Sequence, residues 1–209
     1  MRNESAIRDI LIDNTIHLVA EGGFEVATTK AITHGTSDEK PEIRMNEVYI
    51  YRLYGGKTQL YDAAFCRLDR QLFGALRACL QEVGEMEGDV KSKLLTIFAR
   101  TWTFLLQNED CCRCYIRYYY SVYFKENSRN AHNKLFDEVI DDFRPLFRSG
   151  ADVTSIMHSV FTTLLDFAIR VYNGDLANTP NNREHIFNVL YCTMNTYFDP
   201  NLMPVQQII

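Results

Sequence analysis

No apolar run in this 209-residue sequence reaches the roughly 18–20 residues that a membrane span requires. The opening residues, MRNESAIRD, are too polar for a secretory signal. Both absences predict a cytoplasmic protein with no membrane partner. Basic charge is also scarce. Lys and Arg number 22 against 27 Asp and Glu, for a net charge of −5, whereas nucleic-acid-binding chains usually carry a basic footprint. Local placement still matters more than the sum, because charges are screened beyond about 8–10 Å in salt. A disulfide framework is missing too: Cys66, Cys79, Cys111, Cys112, Cys114 and Cys192 are irregularly spaced, which predicts reduced thiols. There is no phosphate-cradling glycine loop, nucleophile elbow or HExxH helix. The sequence therefore predicts no catalytic residue, no cofactor and no metal site, and the acidic pair Asp141-Asp142 reads as a solvated helix face.

Alternating strand patterns, repeats and low-complexity tracts are absent as well. What remains is helical periodicity. Ile7, Ile10, Leu11, Leu18 and Val19 recur at the spacing of one buried face and predict a first helix over 5–21, ended by Gly22-Gly23. Thr28 or Thr29 is a suitable N-cap for a short second helix reaching His34. Residues 34–42, HGTSDEKPE, have loop composition. A third helix starts at Pro41 or Met45 and presents Val48, Ile50, Tyr51 and Tyr54 as its apolar face. Gly55-Gly56 stops it, and a long fourth helix follows at once, from Leu60 to about Val83.

Five further helices are predicted: 90–106, 111–124, one from Asn127 or Ser128 to about Phe147 that Pro145 kinks or ends, 152–172 and 180–198. The fold class is all-α, with about nine helices. The sixth helix is rich in tyrosine (115, 118, 119, 120 and 123), and Phe98 and Trp102 precede it. Aromatic walls with a few hydroxyls suit a small apolar or amphipathic ligand; packing alone is the plainer use of the same rings. Cys111 and Cys114, with Cys112 between them, have the spacing of a thiolate pair. No second Cys or His pair lies at zinc-finger distance, and cysteine is a good small core residue.

Three short helices followed by about six longer ones resemble the TetR family of bacterial transcription regulators. The resemblance rests on Gly23-Phe24 followed by Thr28-Thr29-Lys30-Ala31-Ile32, and on Ile50-Tyr51-Arg52-Leu53-Tyr54-Gly55-Gly56-Lys57 with Leu60 opening the linking helix. Two features depart from the family pattern. Ile43-Arg44-Met45-Asn46 replaces the usual small-residue turn, and a segment of about seven residues is inserted around 35–42.

The resemblance implies a helix-turn-helix DNA-binding domain at 1–57 and a ligand-binding and dimerisation domain at 58–209. Lys30, Asn46, Glu47 and Tyr49 would face bases. Thr29, Tyr51 and Lys57 would hold phosphates, with Arg52 a possible addition. Phe98, Trp102, Tyr115, Tyr119, Tyr123 and Phe161 would line an effector pocket. Implied partners are an operator in double-stranded DNA, an unidentified small-molecule effector, and a second subunit met through the last two long helices. The expected function is that of a ligand-responsive repressor. Two alternatives are a binding or interaction module with a degenerate helix-turn-helix, favoured by the insertion and the acidic N-terminal region, and a thiol sensor using Cys111, Cys112 or Cys114.

Overall fold

The computed structural model describes residues 4–35 and 45–202. Among these residues there are nine α-helices and no strand: α1 (Glu4–Gly22), α2 (Thr29–His34), α3 (Val48–Tyr54), α4 (Lys57–Gly84), α5 (Val90–Gln107), α6 (Glu109–Tyr119), α7 (Glu126–Phe143), α8 (Val153–Tyr172) and α9 (Pro180–Asn195). An isolated antiparallel bridge joins Phe147 and Phe198. The chain forms two compact units that interleave in sequence. The first comprises 1–71 and 108–132, and the second 72–107 and 133–209.

In the first unit, α1 packs on α2 and α6 through Ile7, Leu11, Ile12, Ile16, Leu18 and Val19, all buried. Helix α2 starts where the Thr28 hydroxyl accepts from Ala31 N–H at 3.1 Å, which satisfies one of the orphan donors of a first turn. Its last turn is tied to α1 by the Asn14 amide, which donates to Ile32 O at 2.8 Å. The end of α3 is held by Arg8, which donates to Leu53 O at 2.7 Å, and by Tyr54, whose hydroxyl donates to Arg8 O at 3.0 Å.

The join between α3 and α4 needs a left-handed residue. Gly55 has φ +85°, ψ −11°, and its N–H closes the last turn on Tyr51 O at 2.9 Å. A Cβ there would meet nothing within 4 Å, so only backbone strain opposes a side chain. Gly55→Ala should therefore destabilise the protein by about 1–2 kcal/mol, read from urea denaturation. A smaller loss would mean that the join relaxes.

The second unit packs α5, α8 and α9 together with the later parts of α4 and α7. Phe73 lies 5.9 Å from Phe136 and 5.7 Å from Phe161 between ring centroids. Trp102 donates its indole N–H to Asn178 Oδ1 at 3.2 Å. Helix α8 is capped by Asp152 on Ser155 N–H, and α9 by Thr179 on Asn182 N–H with Pro180 in its first turn.

Three sequence expectations are corrected. The buried side of α3 is Ile50 and Leu53, whereas Val48 and Tyr51 are exposed; the helix also begins at Val48 rather than Met45, and the alternative start at Pro41 lies outside the described residues. Helix α6 stops at Tyr119 rather than Phe124, because the Ser121 hydroxyl bonds back to Tyr118 O at 2.7 Å and competes with the helical ladder. Helix α7 does end ahead of Pro145 as expected, at Phe143, and Pro145 sits in a 3-10 turn, Arg144–Leu146. Helix α9 ends at Asn195, since Phe198 is drawn into the bridge with Phe147, where Arg148 N–H donates to Tyr197 O at 2.9 Å.

Candidate nucleic-acid interface and apolar cavity

The eight residues implied for DNA contact all fall on α2, on α3 and the two residues before it, and at the first residue of α4. Lys30 is exposed in the first turn of α2. Thr29 is half-buried, and its hydroxyl donates to the Glu47 carboxylate, joining the start of α2 to the approach to α3. Asn46 is exposed, and its side-chain oxygen accepts from Val48 N–H at 2.9 Å, an Asx turn. Tyr49 is half-buried beneath Arg52, whose guanidinium lies 4.7 Å from the ring centroid and also donates to Glu4 at 3.0 Å. Tyr51 projects outward, 59% exposed. Lys57, half-buried, holds its ammonium 5.6 Å from the Tyr61 ring centroid. Two of the polar side chains expected to read bases, Asn46 and Glu47, thus have bonds within the protein, and Val48, 61% exposed, takes an outward place that sequence spacing had assigned to the core.

The turn leading into α2 is fixed from α4. The Tyr61 hydroxyl donates to Ala27 O at 2.8 Å, and its ring meets Phe24 edge-on at 4.9 Å. Burial pushes the Tyr61 phenol up, so it stays a neutral donor at physiological pH. From α6, Arg117 donates to Val19 O at 3.0 Å near the end of α1, and His17 of α1 bonds Asp110 at 2.7 Å.

The aromatic run of α6 makes the core of this same first unit. Phe65 stacks on Tyr118 at 4.5 Å and on Tyr115 at 5.2 Å, while Tyr123 lies 4.6 Å from Phe24. Two buried polar groups accompany these rings. Tyr118 donates to Asp62, which also accepts from the Ser128 hydroxyl at 3.0 Å. His132 Nδ1 bonds Asp69 at 2.9 Å, with the Tyr115 hydroxyl 3.4 Å from the same nitrogen and Tyr119 edge-on at 5.3 Å. Sequence spacing could not reveal either group, because each acid meets partners 56 or more residues away.

The second unit holds an apolar cavity of about 70 Å³. Phe98, Phe161, Phe136, Phe187, Met157 and Met194 are among its lining residues, and Thr101 is the single polar one. Phe98 also borders, with Trp102, an open groove of about 850 Å³ along α5 and α9. Of the six residues implied for a ligand pocket, Phe98 and Phe161 meet at the cavity and Trp102 lies at the groove. Tyr115, Tyr119 and Tyr123 belong to the first unit.

Cys114 is buried and Cys111 half-buried, and desolvation pushes both thiols up, away from the reactive form. Among the described residues, no group of three or more His, Cys, Asp or Glu side chains could hold a metal ion, and no helix is long and apolar enough to cross a membrane.

No family model and no curated protein matches the sequence. Solved structures do. A TetR family transcription regulator from Marinobacter aquaeolei VT8 aligns over 94% of this chain and 97% of its own, with a TM-score of 0.69 at 16% identity. The fold is that of the TetR family. A TetR-like transcriptional regulator from Rhodococcus sp. RHA1 aligns over 92% and 95%, with a TM-score of 0.60 at 14% identity. The multidrug binding protein EbrR, solved with imidazole, aligns over 89% and 93%, with a TM-score of 0.58 at 15% identity. The TetR fold thus extends over both units, well beyond the N-terminal motif in which the sequence resemblance resides.

Proposed function

We propose that this protein is a ligand-responsive transcription regulator, acting as a repressor, that binds a palindromic operator as a homodimer. The observation that carries the reading is the exposed face of α2 and α3, with Lys30, Val48 and Tyr51 outward and Lys57 just past the Gly55 stop, on a TetR fold. In a helix-turn-helix the second helix enters the major groove while flanking groups hold phosphates. Residues 1–57 would make these contacts, and residues 58–209 would bind the effector and the second subunit. Lys30, Asn46, Glu47 and Tyr49 hold the base-facing positions in this reading, Asn46 and Glu47 each with one acceptor oxygen already bonded within the protein; Thr29, Tyr51, Arg52 and Lys57 are the phosphate set.

Helices α8 and α9 carry the dimer in this reading. Ile156, Leu164, Ile186, Leu190 and Met194 are spent inside their own unit. Phe167 and Val189, both half-buried, and the small side chains of Ser159, Thr162 and Thr193 are left for an isologous four-helix contact.

The cavity sets the chemistry of the effector. A lining with one hydroxyl and no charge favours a neutral, largely apolar molecule, since a buried charge without a partner is costly. Its volume is about half that of an apolar cavity of roughly 150 Å³ that accepts benzene, so binding requires side chains to move. Met157 and Met194 are flexible enough to do so. An effector releases DNA only through a difference in affinity for the two conformations, and a cavity that must open to be filled supplies one.

The test is a Tyr51→Ala, Lys57→Ala double variant. It is expected to lose at least about 100-fold in affinity for a duplex that the wild type selects, consistent with several kcal/mol from four phosphate contacts per dimer, while sedimentation still reports a dimer. Undiminished binding would contradict the assignment.

A further inference from the structure

We propose that Val48 is a specificity-determining residue that reads a thymine in each half-site of the operator, by contact with the C5 methyl group. The inference rests on the DNA-binding reading above and concerns which base is recognised.

Within residues 46–49, Asn46 and Glu47 each have an acceptor oxygen bonded within the protein, and the ring of Tyr49 is covered by Arg52. Asn46 needs its oxygen and its amide nitrogen together to pair with adenine, but the oxygen is turned onto Val48 N–H at 2.9 Å. Glu47 could accept from cytosine, but its carboxylate is bonded by the Thr29 hydroxyl. Tyr49 lies half-buried under the Arg52 guanidinium, 4.7 Å from the ring centroid. Val48 is different. It is 61% exposed, its β-branched side chain is stiff, and it has no polar atom to offer. Tyr51, 59% exposed, lies one turn further along the same face of α3.

A valine held outward on this face has one base feature to recognise in the major groove. Adenine, guanine and cytosine present only hydrogen-bonding groups there, whereas thymine adds a methyl. Lys30 on α2, Arg52 on α3 and Lys57 at the start of α4 lie on the elements that adjoin this apolar face, and a row of cations beside an apolar face suits DNA, whose phosphates flank the groove. Excluding water from one methyl contact is worth about a fourfold change in affinity. Two half-sites then give about tenfold or somewhat more for the dimer.

The experiment replaces thymine by deoxyuridine, which removes the methyl and leaves every hydrogen-bonding group in place. A duplex selected by the full-length protein is substituted symmetrically at each thymine in turn, and affinities are measured for the wild type and for Val48→Ala. At one position the wild type is expected to lose about tenfold, and Val48→Ala to lose little more than it has already lost on the unmodified duplex. Equal sensitivity of the two proteins at every thymine, or no sensitivity in the wild type, would overturn the assignment of Val48 while leaving DNA binding intact. Failure of the wild type to bind any duplex would overturn the DNA-binding reading as well, so the two failures are distinguishable. Val48 is exposed, so Val48→Ala should melt at the wild-type temperature; a lower melting point would show that the side chain has a packing role and would count against the proposal.

Discussion

His132→Ala is expected to lower the free energy of unfolding by about 3–5 kcal/mol. The imidazole is 5% exposed and its partner Asp69 1%, with 2.9 Å between Nδ1 and Oδ1. Removing the ring leaves the Asp69 carboxyl group without that partner in an interior built from Phe65, Tyr115, Tyr119 and Phe124, all with rings within about 6 Å of His132. Water cannot readily replace the lost bond there, so the carboxyl bears its full desolvation cost. Replacing both members, as Asp69→Leu with His132→Leu, should recover most of the loss, because an apolar pair of similar size needs no partner. Urea denaturation of the two variants checks the ordering. A His132→Ala loss below about 1 kcal/mol would mean that solvent reaches the pair.

DNA affinity should fall by about 150- to 1,800-fold between 50 and 200 mM salt. Lys30, Arg52 and Lys57 give three cations per subunit on the elements of the proposed interface. A dimer then displaces about four to six counterions, and the logarithm of affinity falls with the logarithm of salt at about 0.9 per phosphate neutralised. The lower bound allows for Arg52, which already donates to Glu4 at 3.0 Å. Lys57→Ala should reduce the slope by nearly two, one contact from each subunit. A slope near zero would mean that these cations do not meet phosphates. The net charge of −5 does not oppose this prediction, because a charge more than a Debye length from the interface is largely screened.

Helical class was legible because periodicity repeats over many turns, and long helices such as α4 and α8 give it room to do so. It failed where a helix is too short. Over the seven residues of α3, Val48 with Tyr51 and Ile50 with Leu53 both satisfy a spacing of three, and only tertiary packing decides which pair faces inward. Caps were legible for a local reason: Thr28 and Gly55 act on backbone a few residues away. The ends of α6 and α9 were not, since Phe198 leaves its helix for a partner at Phe147, 51 positions earlier in the chain. The same distance problem hid the pairing of Asp69 with His132. Nor could sequence spacing place the aromatic residues: Tyr115 and Tyr118 stack on Phe65 in the first unit, whereas Phe98 and Phe161 line the uncharged cavity of the second, built from α4, α5, α7, α8 and α9.

The central claim is that a dimer of this chain reads a specific, two-fold symmetric DNA site. Binding of the purified full-length protein to a pool of random duplexes, followed by sequencing of the bound fraction, tests it most directly. Enrichment of one palindromic sequence is expected, with half-site centres about 10 base pairs apart or a multiple of that spacing. A bound pool no different in sequence from the input, at low salt and with the dimer intact, would contradict it.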